Sequence, residues 1–187
     1  MRWRERETPV IDEARLQTVQ TIPVSLTVNG RPWSGEVPAE EVLLDLLRSR
    51  IGLTGTKRGC ESEVCGACEV LVDDAPVSSC NYLAFEANGR SITTIEGIAD
   101  GDQLHPVQEA FIRNVAAQCG YCTSGQIISA VALLREDPAP TYDTIAHWLV
   151  GNICRCGCYP AIAHSIMEAA AELQGRSMNG ELRPNGR

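Results

Sequence analysis

Residues 59–68, GCESEVCGAC, decide the fold of the first half of this chain, together with Cys80 a short distance further on. The three cysteines within the stretch are spaced C-x4-C-x2-C. Gly59 and Gly66, with Gly55 just before them, permit a tightly curved backbone that turns its N–H groups towards negative sulfur atoms. We therefore predict a ligand loop, with one metal centre held by the thiols of Cys60, Cys65, Cys68 and Cys80.

The spacing of this first set is that of plant-type ferredoxins, in which four thiolates hold a [2Fe–2S] cluster. Each of the two irons needs two thiolates. A single loop can wrap one iron and reach round to the other, while the fourth cysteine arrives from a neighbouring strand. A zinc site is the alternative, but zinc ligands usually come as two C-x2-C pairs. The x4 spacing, the glycines and the predicted sheet favour the cluster.

A second set of cysteines lies in the other half of the chain and consists of Cys119, Cys122, Cys154 and Cys156. They form a C-x2-C pair and a C-x-C pair, each in a link between predicted helices. The spacing alone leaves iron–sulfur, zinc and, for the first pair, a redox dithiol open. A thioredoxin-like dithiol would follow a strand in a βαβ unit, which the pattern lacks. Helix N-termini directed at these loops would stabilise an anionic cluster.

The cysteine count also favours metal ligation over disulfides. The chain has 187 residues and 9 Cys. An odd number of cysteines cannot all pair with one another, and disulfides are rare in a reducing cytosol. Two sets of four leave Cys158, which we interpret as a buried or half-buried free thiol and not as a fifth ligand.

Strand and turn signals place the first set in a small sheet. Residues 24–28 alternate apolar and polar side chains and end at Asn29-Gly30, a hairpin turn that leads into a return strand over 33–37. Three further elements are predicted in this half: a leucine-rich helix over 42–47, a hairpin over 70–77 with its turn at Asp73-Asp74, and a strand over 91–95. The first half is thus predicted to be an α+β sheet domain.

Helical spacing replaces the strand pattern after residue 101. A helix is predicted from Pro106 onward, with Val107, Ala110, Phe111 and Val115 on its apolar face. Three more helices are predicted over 127–134, 141–150 and 160–173, the first of them stopped by Asp137-Pro138. Four helices with short links form a bundle. The predicted divisions are an N-terminal arm (1–21), the sheet domain (22–100), the helical domain (101–174) and a loose tail (175–187).

Composition and charge exclude several classes of function. The net charge is −8, the pI is near 4.9 and aromatics make up 5%. Nucleic acid is not an expected partner, because binding phosphate needs a basic face. No apolar run approaches the roughly 18 residues that a membrane span needs. The charged N-terminus is not followed by an apolar stretch, so it does not read as a signal peptide, and the chain is expected in the cytoplasm.

Three motifs in order resemble the iron–sulfur subunit of molybdenum hydroxylases, the family of xanthine oxidase, aldehyde oxidoreductase and carbon monoxide dehydrogenase. They are the 59–80 run with its four cysteines, QCGYCT at 118–123 and GNICRC at 151–156. The resemblance spans about residues 22–174. It implies a β-grasp ferredoxin domain followed by a four-helix domain, and it implies that the second set of cysteines also holds a [2Fe–2S] cluster.

The resemblance further implies cofactors on partner subunits. A large subunit would hold molybdopterin, often as the cytosine dinucleotide in bacteria, and a medium subunit would hold FAD unless a cytochrome replaces it. A hetero-oligomer such as a dimer of heterotrimers would follow. Gln118 and the ligand sulfur of Cys156 match family positions that contact the molybdopterin. Electrons would pass from molybdenum to the helical-domain cluster, then to the ferredoxin cluster and out, and no catalytic residue is assigned to this chain.

Some positions depart from the commonest family pattern. Gly157-Cys158 stands where Thr-Gly is frequent, Ser124 where Pro is frequent, and Glu63 where a small residue is usual. The first two resemble the isoquinoline-oxidoreductase and related aldehyde-dehydrogenase branch, some members of which pass electrons to a cytochrome. The final electron acceptor therefore stays open, as does the substrate, which would be an aldehyde, an N-heterocycle or a similar small molecule.

The competing function is a free-standing ferredoxin-like carrier with a zinc-stabilised helical domain. A lone ferredoxin would need nothing after about residue 98. The helical domain, with cysteines of its own, favours the subunit of a larger oxidoreductase.

Overall fold

The structure is a computed structural model that describes residues 20–175. The predicted arm and tail fall almost entirely outside the described residues. The strands are β1 (Thr21–Val28), β2 (Arg31–Pro38), β3 (Glu69–Val72), β4 (Ala75–Ser78) and β5 (Ser91–Thr93). The helices are α1 (Leu43–Asp45), α2 (Pro106–Arg113), α3 (Thr123–Glu136), α4 (Tyr142–Trp148) and α5 (Tyr159–Leu173). The architecture is α+β, as predicted.

One mixed sheet of five strands occupies the first half, in the order β2-β1-β5-β3-β4. Both predicted hairpins are present, because β1 pairs antiparallel with β2 and β3 pairs antiparallel with β4. Their turns use left-handed backbone at Asn29 (φ 50°) and Gly30 (φ 75°), and at Asp73 (φ 47°) and Asp74 (φ 69°). This geometry matches the right-handed twist of the flanking strands. β5 joins the hairpins, lying parallel to β1 and antiparallel to β3.

The predicted helix over 42–47 has an unusual form. Within this segment only Leu43–Asp45 (α1) is α-helical, and the chain continues as a π-helical turn over Leu46–Arg50. All four leucines of the segment are still buried: three pack in the sheet core, and Leu44 packs against Cys68 and Cys80. The four leucines are Leu43, Leu44, Leu46 and Leu47, each with no exposed surface.

The helical half has its own core, formed by apolar faces of α2, α3, α4 and α5. α5 is the longest helix and packs along α2, and Ile162 and Ile166 lie at the centre of this core. Within residues 20–175, every helix is too short or too polar to traverse a bilayer.

Val115 was predicted on the apolar face of the helix that starts at Pro106, and this was wrong. α2 ends at Arg113, and Val115 is 75% exposed with a left-handed backbone (φ 49°). The reason is the side-chain amide of Asn114, which donates to the carbonyl oxygen of Ala110 (2.9 Å) alongside the backbone N–H of the same residue (3.0 Å). Local side-chain to backbone bonds of this kind compete with helix continuation.

Two predicted elements are shorter than expected. β5 ends at Thr93, and Ile95–Gly97 form a 3-10 turn where the strand was expected to end. α4 ends at Trp148, and Leu149–Gly151 form another 3-10 turn that leads into the second cysteine loop. The second turn brings Asn152 against Glu69, the first residue of β3.

The sheet and the helical half share a packed interface. Leu71 of β3 is fully buried against Ile128 and Ala132 of α3. Trp148 of α4 borders this contact and donates its indole N–H to the carbonyl oxygen of Ser129 (3.0 Å). α3 therefore lies on the sheet, and its N-terminus points to the edge where the cysteine loops meet.

Candidate metal centres

All nine cysteines are free thiols, and the structure brings eight of them together in the two predicted sets. Among residues 20–175, no three Cys, His, Asp or Glu side chains are arranged as ligands of one metal ion. The thiols lie in pairs instead. Two pairs per set is the arrangement that suits two irons, because bridging sulfides complete each iron and leave two positions for thiolates.

The first set consists of the pair Cys60 and Cys65 and the pair Cys68 and Cys80, with the two thiols of each pair in hydrogen-bonding contact. The β3–β4 hairpin forms the second pair, since Cys68 directly precedes β3 and Cys80 follows Ser79 after β4. The hydroxyl of Ser79 donates to the carbonyl oxygen of Cys68 (2.6 Å), and its backbone N–H donates to the same oxygen (3.3 Å). The hairpin register therefore fixes this pair.

The loop around Cys60 turns backbone N–H groups towards sulfur. The amides of Ser62 and Val64 both donate to Cys60 Sγ, each at 3.4 Å. These bonds, led by that of Ser62, lower the pKa of Cys60 to about 6. An N–H cradle of this type favours the negative charge of a ligated sulfur.

The source of the loop's curvature differs from what the glycines suggested. Left-handed backbone occurs at Glu61 (φ 55°) and Glu63 (φ 63°) as well as at Gly66 (φ 67°). Gly59 is needed for space, because a Cβ there would lie 2.7 Å from Cys65 Sγ. Strained non-glycine residues of this kind cost energy and are found at functional loops.

The second set consists of the pair Cys119 and Cys156 and the pair Cys122 and Cys154, again with each pair of thiols in contact. The predicted helix N-termini are present. α3 begins directly after Cys122, and α5 begins directly after Cys158. The positive ends of both helix dipoles therefore face this set and stabilise negative charge there.

Burial and hydrogen bonding shift the thiol pKa values in opposite directions. Burial raises the pKa of Cys68 to about 12 and that of Cys122 to about 12. The backbone amide of Tyr121 lowers the pKa of Cys119. Burial also acts on Cys154, but the amide of Cys158 and neighbouring groups hold its pKa below the ordinary value. Buried thiols become thiolates at neutral pH when a metal supplies positive charge.

Cys158 lies closer to the second set than the sequence suggested. Its thiol contacts that of Cys154, and its backbone N–H donates to Cys154 Sγ (3.5 Å). Its pKa is raised by burial and then by the negative neighbours Cys154 and Cys156, while a hydrogen bond from the backbone N–H of Gln118 opposes the rise. Its thiol therefore stands beside the second set, whose two pairs are complete without it.

Gln118 lies in the irregular segment between α2 and α3 and is exposed, as is the adjacent Cys119. The second set thus has one side open to a partner. The three histidines are at scattered positions, and His105 serves as the N-cap of α2 through Nδ1, which accepts from the N–H of Val107 (3.2 Å).

A polar cluster between the two cysteine loops was not predicted. The side chain of Asn152 donates to Glu69 Oε2 (2.6 Å), and the side chain of Gln126 donates to the carbonyl oxygen of Asn152 (2.8 Å). Burial raises the pKa of Glu69 to about 6, although its contacts with Asn152 and Ser129 favour the charged form. The only sequence signal was position, since Glu69, Gln126 and Asn152 each lie within four residues of a cysteine.

Comparison with known proteins now identifies the class. Residues 26–92 match the 2Fe-2S iron-sulfur cluster binding domain, and residues 94–167 match the [2Fe-2S] binding domain. The chain is therefore a [2Fe–2S] protein with an electron-transfer role. Its sequence is 44% identical over 170 residues to the iron-sulfur-binding subunit of an Escherichia coli aldehyde oxidoreductase, covering 83% of this chain and 74% of that one.

Solved structures of oxidoreductases share the fold of this chain. Quinoline 2-oxidoreductase from Pseudomonas putida 86 has 43% identity and a TM-score of 0.80, with 87% of this chain and 99% of that one covered. The aldehyde oxidoreductase from Desulfovibrio gigas has 38% identity and a TM-score of 0.80, with 89% of this chain and 19% of that longer chain covered. The chain belongs to the iron–sulfur subunits of the molybdenum-dependent oxidoreductases, and the resemblance seen in its motifs is confirmed.

Proposed function

We propose that this chain relays electrons through two [2Fe–2S] clusters, from a large molybdopterin-binding subunit to FAD or another acceptor. The relay accompanies hydroxylation of an aldehyde, an N-heterocycle or a similar small molecule. The observation that carries the proposal is the arrangement of eight thiols as two sets of two pairs, one set in each half of the chain.

The proposed ligands of the ferredoxin-type cluster are Cys60, Cys65, Cys68 and Cys80, and those of the second cluster are Cys119, Cys122, Cys154 and Cys156. The surroundings of both sets suit a negative group: inward amides at the first, two helix N-termini at the second. A bound [2Fe–2S] group supplies one-electron redox chemistry. The protein's part is to fix the thiols, exclude water from the buried pair members and orient the amides.

The exposed side of the second set is the proposed contact with the large subunit. Cys119 and Gln118 are exposed there. Two apolar side chains on the flanking segments are also exposed, Val115 by 75% and Val150 by 80%. Contiguous exposed apolar patches with a polar rim mark protein interfaces, and we propose that both valines belong to one such surface. We propose that Gln118 and the Cys156 sulfur meet the molybdopterin across this contact, and that electrons enter here.

A separate large subunit is supported by relatives that are themselves subunits. The Escherichia coli relative is the iron-sulfur-binding subunit of an aldehyde oxidoreductase, and this chain covers 74% of it. In this proposal the substrate chemistry belongs to a partner subunit. We further propose the cytosine dinucleotide form of molybdopterin, a medium FAD subunit or a cytochrome, a dimer of heterotrimers and a cytoplasmic location.

We also propose that the chain divides into a β-grasp domain over 22–100 and a four-helix bundle over 101–174. The separate cores of the two halves and the matched ranges 26–92 and 94–167 support this division. The proposed substrates span both aldehydes and N-heterocycles, because an aldehyde oxidoreductase subunit and a quinoline oxidoreductase match this chain at 44% and 43% identity.

Purification of the tagged chain from its native host tests the partner proposal. A large subunit should co-purify, with molybdenum bound. Val150→Asp places a charge in the proposed contact, so it should release the large subunit while both cluster signals remain. Leu173→Asp is the matched control, because Leu173 is an exposed apolar residue (51%) at the far end of α5. Retention of the large subunit by Val150→Asp, or its equal loss in both variants, would contradict the proposed contact.

A further inference from the structure

The two cysteine loops touch through their main chains. The backbone N–H of Ile153 donates to the carbonyl oxygen of Cys65 at 3.0 Å. Cys65 is a proposed ligand of the first cluster, and Ile153 directly precedes Cys154, a proposed ligand of the second. One hydrogen bond therefore completes a route of otherwise covalent bonds from one ligand sulfur to the other.

Asn152 holds this contact from the next position in the chain. It is 4% exposed. Its side-chain amide donates to Glu69 Oε2 (2.6 Å), and Glu69 directly follows Cys68 of the first loop. Its main chain is fixed from the helical side, because its carbonyl oxygen accepts from Gln126 Nε2 (2.8 Å) and its N–H donates to the carbonyl oxygen of Leu149 (2.9 Å). Asn152 thus ties the second loop to the first directly beside the Ile153 to Cys65 bond.

The loops approach more closely than side chains would permit. A Cβ on Gly66 would lie 2.4 Å from Asn152 Nδ2 and 2.7 Å from the carbonyl oxygen of Gly151. A Cβ on Gly125 would lie 2.0 Å from the carbonyl oxygen of Gly66. Real Cβ atoms essentially never come within 3.0 Å of such groups. The space around Asn152 is therefore fitted to its amide.

We propose that Asn152 is a positioning residue for electron transfer between the two clusters, acting through the Ile153 to Cys65 hydrogen bond. The proposal rests on the proposed function. One electron leaves the reduced site and enters the oxidised site, no covalent bond forms or breaks, and no proton needs to move. An uncharged amide suits this position because it donates to a carboxylate without adding charge between two negative centres.

Asn152→Ala in the complete oxidoreductase is the first test. Loss of the buried bond to Glu69 should open the loop contact, so that amide exchange over residues 149–156 becomes about tenfold faster, equivalent to about 1.4 kcal/mol. Inter-cluster electron transfer after pulsed reduction should slow several-fold, and the magnetic coupling between the reduced clusters should weaken. Arg135→Ala is the matched control, because it breaks a different contact between the two halves, the exposed ion pair of Arg135 with Asp74. It should leave the transfer rate unchanged.

A second pair of variants approaches the same bond from the other side. Glu69→Ala and Glu69→Gln remove the same charge beside the first cluster, but only Gln still offers an oxygen to the Asn152 amide. Any effect of charge on potential is therefore common to both, and the ratio of their transfer rates isolates the hydrogen bond. Slower transfer in Glu69→Ala than in Glu69→Gln is the expected result, and it remains measurable if Asn152→Ala does not fold.

The results of these experiments distinguish a failure of the Asn152 role from a failure of the proposed electron-relay function. Missing iron in the parent protein would contradict the proposed function before any variant is compared. With both clusters present, unchanged transfer in Asn152→Ala would overturn the positioning role, as would equal rates in the two Glu69 variants. Faster amide exchange without slower transfer would show that Asn152 is structural only.

Discussion

Gly125→Ala tests the close contact between α3 and the first cysteine loop. The new Cβ would lie 2.0 Å from the carbonyl oxygen of Gly66, where at least 3.0 Å is required, so α3 or the loop must move by about 1 Å. The nearest atoms, in Gly66 and Ala67, all belong to the backbone, which cannot rotate away as a side chain can. Overpacking of this kind costs about 1–3 kcal/mol. For a chain of this size each kcal/mol lowers Tm by about 2–4 °C, so a fall of about 2–12 °C is expected.

The sign of the change is diagnostic. Position 125 is helical, and in an open helix Gly→Ala would stabilise by up to about 1 kcal/mol. Thermal unfolding followed by circular dichroism measures the shift, and electron paramagnetic resonance of the reduced protein monitors both clusters. Gly151→Ala is the matched control, because a Cβ there has no atom within 4 Å and its φ is ordinary. An unchanged or raised Tm in Gly125→Ala would refute the close contact.

The remaining predictions concern single side chains near the clusters. Glu63→Gln removes a carboxylate, but its side chain can still accept the hydrogen bond from Asn81 (2.8 Å in the parent). The potential of the first cluster should therefore rise by some tens of millivolts in a redox titration, where about 59 mV is a tenfold change in the one-electron equilibrium constant. A fall in potential would mean that hydrogen bonding outweighs charge. Cys158→Ser keeps the backbone amide that faces Cys154 and should leave both paramagnetic signals in place; loss of the second signal would identify Cys158 as a ligand. Gln118→Ala should slow reduction of the second cluster by substrate, measured in stopped flow, while dithionite still reduces both; unchanged reduction by substrate would remove Gln118 from the cofactor contact.

The sequence signals that were reliable here are local ones. Asn29-Gly30 and Asp73-Asp74 predicted both hairpins, because these residues adopt the left-handed backbone that such turns need. Pro106 marked a helix start, because the first helical residue needs no N–H partner and proline already has a helical φ. The Asp137-Pro138 pair marked a helix end, because proline has no N–H to continue the helical hydrogen bonds. The cysteine spacing predicted both groups of thiols that the structure brings together.

Contacts between distant segments were beyond the sequence. Nothing in residues 91–93 shows that β5 lies parallel to β1, between the two hairpins. Val115 fits the helical period of α2, but the Asn114 amide ends that helix first. Asn152 and Glu69 are 83 residues apart and meet only because α3 packs on the sheet.

Metal content and paramagnetic resonance of the purified chain test the central claim most directly. Eight thiols in two sets of paired ligands predict about four irons and about four acid-labile sulfides per chain. Reduction should then produce two distinct [2Fe–2S] signals. Stoichiometric zinc together with a single signal would contradict the account, and would favour a ferredoxin-like carrier with a zinc-stabilised helical domain.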